Sequence, residues 1–219
     1  LIVMFFYFFF KIVKRDSFLN IFFLSLVSGL LILLRGEFIA FFLLSILYLI
    51  IFLKVEFKKV ILIVLLTVFT ISPYIVRNII LLDTITITKS IGYNLWKGNN
   101  PKSTVEGNSK FNANIREQIK HVPRDKYYDL NVDKILQNEG LKSIQSEPKR
   151  YLILYIKKVL SFIFFDLNST YPNYYHPLNY LPILLIGITS VSGLILYKRN
   201  SMLLNFLILY FLANIAIMS

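Results

Sequence analysis

No cysteine occurs among the 219 residues, which excludes a disulfide scaffold and a thiolate metal centre and leaves the redox compartment unassigned. Histidine is nearly as scarce. His121 and His176 stand alone, without a partner at metal-ligand spacing, so no metal is assigned. Acidic residues number 12 against 24 Lys and Arg. The run closest to a cation loop, Asp129-Leu-Asn131-Val-Asp133, fails as an EF-hand. Lys134 stands where the turn needs Gly, and Gly140 stands where the bidentate Glu belongs. It reads instead as a helix cap. Neither a P-loop nor a Gly-x-Ser-x-Gly elbow is present. There is no internal repeat and no low-complexity linker.

Apolar residues are abundant: 56% of the chain is hydrophobic, with 20 Phe and 14 Tyr, and the mean hydropathy is +0.63. This composition predicts an all-α polytopic membrane protein. The apolar runs are continuous rather than alternating, which argues against a transmembrane β-barrel. About six transmembrane helices are expected. The first, 1–13, reads as the truncated end of a helix in a longer protein, and the others cover 18–34, 38–53, 60–82, 179–197 and 201–218. The second and third reach only ~24–26 Å against a hydrocarbon core of about 30 Å, which leaves open a buried hairpin that does not fully cross. The expected division is transmembrane helices over 1–82 and an α-rich external loop over 83–149. An interfacial helix with an aromatic loop follows over 150–178, then C-terminal transmembrane helices over 179–219.

The formal net charge of +12 does not point to nucleic acid. Residues 82–149 carry 11 basic and 8 acidic side chains, net +3, so most of the excess belongs to the membrane part. Lys11, Lys14 and Arg15, then Lys54, Lys58 and Lys59, then Lys198 and Arg199 mark three cytoplasmic loops. Arg35-Gly36-Glu37 and the long 83–149 segment then face outside. The alternation closes if 150–166, with Lys157-Lys158 at its middle, lies in the interface rather than crossing. In this orientation the large loop lies outside the cytoplasm. Within that loop, Ile85–Thr88 reads as β-prone, and Asn99-Asn100-Pro101 and Gly107-Asn108-Ser109 as turns. Residues 123–146 read as one or two short helices capped at Asn131.

Several residues could carry chemistry. Arg77 lies about one turn after Pro73 at the outer end of the fourth span, where a proline-kinked helix end can aim it into a cavity. It can hold a lipid phosphate through paired charge-assisted hydrogen bonds, or simply snorkel to the interface. Arg35 and Glu37 share a tight outer turn and either bridge one another or serve a site. Trp96, Asn99 and Asn100 suit a sugar face and its hydroxyls, or equally an interfacial anchor and a turn. Asn168-Ser-Thr170 is a formal glycosylation sequon, meaningful only in a secretory host.

The order of these motifs resembles bacterial members of the GT-C superfamily of membrane glycosyltransferases, related to protein mannosyltransferases and the aminoarabinose transferase of lipid A. The matching pieces are Pro73…Arg77-Asn78, then Gly92-Tyr-Asn94-Leu95-Trp-Lys-Gly98-Asn99-Asn100-Pro101. Gly29-Leu30 through Arg35-Gly-Glu37 and Glu147-Pro148 through Lys157-Lys158 complete the set. Tyr74 departs from the usual Trp. The resemblance covers roughly 20–219 and implies transfer of a sugar from a polyprenyl-phosphate carrier to a glycan, lipid or protein acceptor on the outer membrane face. It implies a donor-phosphate role for Arg77 and Arg35, and substrate-loop roles for Asn78, Trp96, Asn99 and Asn100. It also implies a catalytic acidic residue upstream of residue 1, so no catalytic residue is assigned. Some related enzymes use a divalent metal, and the sequence assigns none. An O-antigen polymerase or ligase is the alternative enzyme reading. A transporter or envelope scaffold ranks third, since the spans offer few polar midplane groups and no repeat.

Overall fold

The computed structural model describes residues 1–14, 17–88, 90–163, 165–166, 169–170, 172–196 and 202–218. Arg15, Asn168, Lys198 and Arg199 lie outside the described residues. The described chain forms ten helices and no strand. It divides into two compact units, residues 1–88 with 201–217, and residues 89–200 with the last two residues.

The first unit contains α1 (Ile2–Lys14), α2 (Phe18–Leu34), α3 (Phe38–Ile51), α4 (Phe57–Leu82) and α10 (Met202–Met218). Its core is aromatic. Phe5, Phe9, Phe41 and Phe206 are fully enclosed, with Phe9 and Phe206 stacked at 3.9 Å. Tyr48 packs there too and donates its hydroxyl to Met202 O at 3.0 Å. Buried hydroxyls in these apolar helices turn back on their own backbone. Ser25 donates to Ile21 O, Ser28 to Leu24 O, Ser45 to Phe41 O and Thr67 to Ile63 O, each within 2.8 Å. These four hydroxyls need not then seek water.

α3 ends at Ile51, two residues short of the apolar run, because the chain turns through Lys54 at φ 50°. α4 starts three residues earlier than its apolar run, with Glu56 pairing Lys59 at 3.0 Å. Pro73 sits inside α4 without ending it. Proline cannot donate to Phe69 O, four residues back, and Ser72 Oγ takes that acceptor at 2.8 Å. α4 stops where Asp83 turns left-handed at φ 51° and its N–H bonds Ile79 O. Residues 85–88, expected as β-prone, form no strand. Asn78 Nδ2 instead ties that stretch down by donating to Thr86 O at 2.7 Å.

Among the described residues, α4 alone is long and apolar enough to cross a membrane, with 26 residues and only 22% of its apolar window buried. Phe69 and Ile80 stand 74% and 70% exposed on it. α2 and α3 are shorter apolar helices, at 17 and 14 residues.

The second unit contains α5 (Ile91–Asn99), α6 (Ala113–Lys120), α7 (Tyr128–Ser146), α8 (Pro148–Ile163) and α9 (Pro177–Leu196). α5 crosses α7 at close range. Its small core is Trp96, Ile115 and Leu136, flanked by Tyr93, Phe111, Ile119 and Val132.

Candidate functional site

Residues 92–101, expected as an exposed loop, are helical through Asn99. The reason is tertiary. Gly92 and Gly140 let α5 and α7 touch backbone to backbone, since a Cβ on Gly140 would come within 3.1 Å of Trp96 Cα. Asp133 then caps α5 from α7, its carboxylate accepting from Gly92 N at 2.9 Å and Tyr93 N at 2.8 Å. The Asp129–Asp133 run is therefore no cap for its own helix. α7 begins earlier, after Tyr127, and Asn131 lies inside it.

This placement changes the roles of the proposed sugar-contacting residues. Trp96 is 2% exposed and packs on Phe111 at a ring distance of 4.9 Å, so its indole has no open face for a sugar. Asn100 is buried and committed. Its Nδ2 donates to Asn108 O at 2.7 Å and Trp96 O at 3.2 Å, and its Oδ1 accepts from Lys102 N at 3.0 Å. Asn99 Nδ2 donates to Leu95 O at 2.9 Å. All three build the exit of α5. Because Trp96 is the chain's single tryptophan, its emission should be blue-shifted and poorly quenched by iodide. Emission typical of a water-exposed indole would contradict this packing.

In the first unit, Arg77 is exposed, and its Nη1 donates to Asn78 Oδ1 at 3.0 Å. Asn78 is itself 2% exposed and orients Arg77 while holding Thr86. Arg35 Nε lies 3.7 Å from Glu37, both more than 40% exposed, which is a surface pair of small energetic weight.

The second unit holds a cationic cleft that sequence reasoning did not single out. The loop after α5 wraps back, with Ser103 Oγ donating to Lys97 O at 2.8 Å and Asn108 N to the same oxygen at 2.8 Å. Against it lies α8. Arg150 donates to Pro101 O and stands 3.7 Å from Glu147, and Lys158 Nζ donates to Gly98 O at 3.1 Å. Both cations sit at the carbonyl end of α5, where orphan acceptors and the helix dipole favour positive charge. Desolvation lowers the Lys158 pKa below the usual lysine value.

Between loop and helix opens a cleft of about 400 Å³. Arg150 and Lys157, seven residues apart on one face of α8, border it with Ser103 and Thr104, while Val105, Ile153 and Leu154 form its apolar wall and Asp166 its far edge. Arg150 carries five donors, so Pro101 and Glu147 leave capacity unspent. α8 also presents Leu152, Ile153, Ile156 and Leu160, each at least half exposed, and of these Ile153 lines the cleft. The cleft wall is tied down by Glu106, which accepts from Ser169 Oγ, from Thr170 N at 3.1 Å and from Thr170 Oγ1 at 2.6 Å. The readable signal was the Arg150–Lys157 spacing. No family model, curated protein or solved structure matches the chain.

Proposed function

We propose that this chain is part of a polytopic membrane glycosyltransferase, with six spans oriented by the positive-inside rule, that takes sugar from a polyprenyl-phosphate donor. The observation that carries this reading is the α8 cleft. Two cations and the Thr104 hydroxyl meet there against an apolar wall that includes the half-exposed Ile153. A phosphate on an isoprenoid chain needs that combination, with charge-assisted donors for its oxygens and an apolar strip for its tail. The exposed apolar surface of α4 supports the membrane part.

The chemistry required of this region is leaving-group stabilisation. As the bond between sugar and lipid phosphate breaks, charge grows on the phosphate oxygens, and Arg150 and Lys157 would meet it. Thr104 would fix the phosphate rotamer, while Ser103, whose hydroxyl donates to Lys97 O, holds the loop in place, and Asp166 would accept from a sugar hydroxyl. Activation of the acceptor hydroxyl belongs to a general base that this chain does not assign. The acceptor is a glycan, lipid or protein at the outer membrane face.

The test is consumption of polyprenyl-phosphate-linked sugar by membranes carrying the full-length gene product. The Arg150→Ala, Lys157→Ala double substitution should lower turnover by roughly 10²–10³ while Trp96 emission stays unchanged. Arg77→Ala and Arg35→Ala, assayed in parallel, measure the cations of the first unit. Full turnover in the α8 double variant would remove the cleft from the donor site. Absence of consumption with every lipid-linked sugar would remove the transferase reading itself.

A further inference from the structure

A second cationic cleft, of about 270 Å³, lies elsewhere in the second unit, where α6 ends and α7 begins. Arg116, Lys120 and Arg124 form its rim, and Phe111, Ile119 and Tyr128 its half-buried apolar floor. None of the three cations has a hydrogen-bond or ion-pair partner among the described residues. Among the described residues no carboxylate lines this cleft, while Asp125 and Asp129 line an adjoining one with Arg124 and Tyr128. The nearby Asp125 is turned into its own bend, with Oδ1 accepting from Tyr127 N at 2.8 Å.

Local structure does not explain this grouping. Arg116 and Lys120 stand four apart on an eight-residue helix, where like charges repel. The helix dipole favours Lys120 in the last turn but disfavours Arg116 in the first. A bound anion would offset both terms. Three cations match the charge and the three terminal oxygens of a phosphate monoester better than a single carboxylate. The floor suits a small ring: Tyr128 and Phe111 offer aromatic surface, and Phe111 is braced on Trp96. The volume falls just below the usual ligand-pocket range, which limits the occupant to about one sugar unit.

We propose that the Arg116–Lys120–Arg124 cleft binds a monosaccharide phosphate, with the phosphate on the three cations and the sugar face on Phe111 and Tyr128. The proposal stands whether or not the α8 cleft serves glycosyl transfer. Calorimetric titration of the full chain in detergent micelles tests it, with glucose 6-phosphate, inorganic phosphate, glucose and glucuronate as probes. Glucose 6-phosphate should bind at least tenfold tighter than the other three, and more weakly as salt rises. The triple substitution R116Q/K120Q/R124Q should remove that binding, and Tyr128→Ala should weaken glucose 6-phosphate more than inorganic phosphate. Unchanged Trp96 emission in these variants checks the fold. Equal or tighter binding of inorganic phosphate or glucuronate overturns the proposal, as does binding that survives the triple substitution.

Discussion

Gly92→Ala is expected to destabilise the second unit by about 3–5 kcal/mol, enough to unfold a marginal domain. The added Cβ would lie 2.0 Å from Asp133 O and 2.9 Å from both the Asp133 carbonyl carbon and Gln137 N. All three are backbone atoms of α7, so no side chain can swing aside and the helices must part. Parting them also breaks the two hydrogen bonds by which Asp133 caps α5, bonds to a charged group that is costly to leave unpaired. Trp96 lies in this unit's core and reports its unfolding directly. A denaturant titration of the full chain in micelles, followed by Trp96 emission, should show a much lower midpoint or no transition. Gly193→Ala is the control, since among the described residues its new methyl group meets nothing within 4 Å beyond its own stretch of helix and Ala favours helix over Gly. A Gly92→Ala midpoint equal to that control would mean that α5 and α7 do not touch as described.

The long apolar helices were legible in sequence, and their ends at Leu34 and Leu82 fall where charge and turn residues interrupt the runs. α5 was not. Gly92, Asn94, Gly98 and Asn99 are weak helix formers in a nine-residue segment, and only contact with α7 overrides that preference. α6 could have been read, because Asn112 caps it and accepts from Ile115 N at 2.8 Å, with Ile119 one turn beyond Ile115. The family-like Gly-Asn-rich run drew attention to Trp96 and Asn100, yet those residues are spent on folding. The donors that border the cleft lie instead on α8, where Lys157 serves the sequence reading as a topology signal and as part of the family-like pattern but not as a site residue. The cleft that Arg150 and Lys157 share with Ser103 and Thr104 joins segments about fifty residues apart, which local pattern cannot reveal. In the sequence, Arg116, Lys120 and Arg124 are only part of a modest net charge. Only the fold gathers them around one cleft.

Gly29→Ala should be the most damaging single methyl group in the first unit. A Cβ there would stand 2.6 Å from both Cβ and Cγ2 of Thr70, and 3.3 Å from Thr67 O. These contacts lie where α2 and α4 pack, a seam also marked by Thr67 Oγ1 approaching Ser25 O at 3.4 Å. Small residues at a helix crossing let backbones approach closely, which matters most where lipid removes the hydrophobic drive for helices to associate. In a soluble core the same methyl could be repaid in part by burial. On the proposed membrane reading it gains nothing from leaving lipid, so the steric cost of about 1–3 kcal/mol stands undiminished. The clash with the Thr70 Cβ persists if Thr70 is shortened to Ala, because that carbon remains. Only Thr70→Gly removes both contacting atoms. A double-mutant cycle in bilayers, read by resistance to proteolysis, should therefore show strong rescue of Gly29→Ala by Thr70→Gly and little by Thr70→Ala. Equal rescue by both would place the contact on Cγ2 alone, and no rescue by either would separate α2 from α4 at this seam.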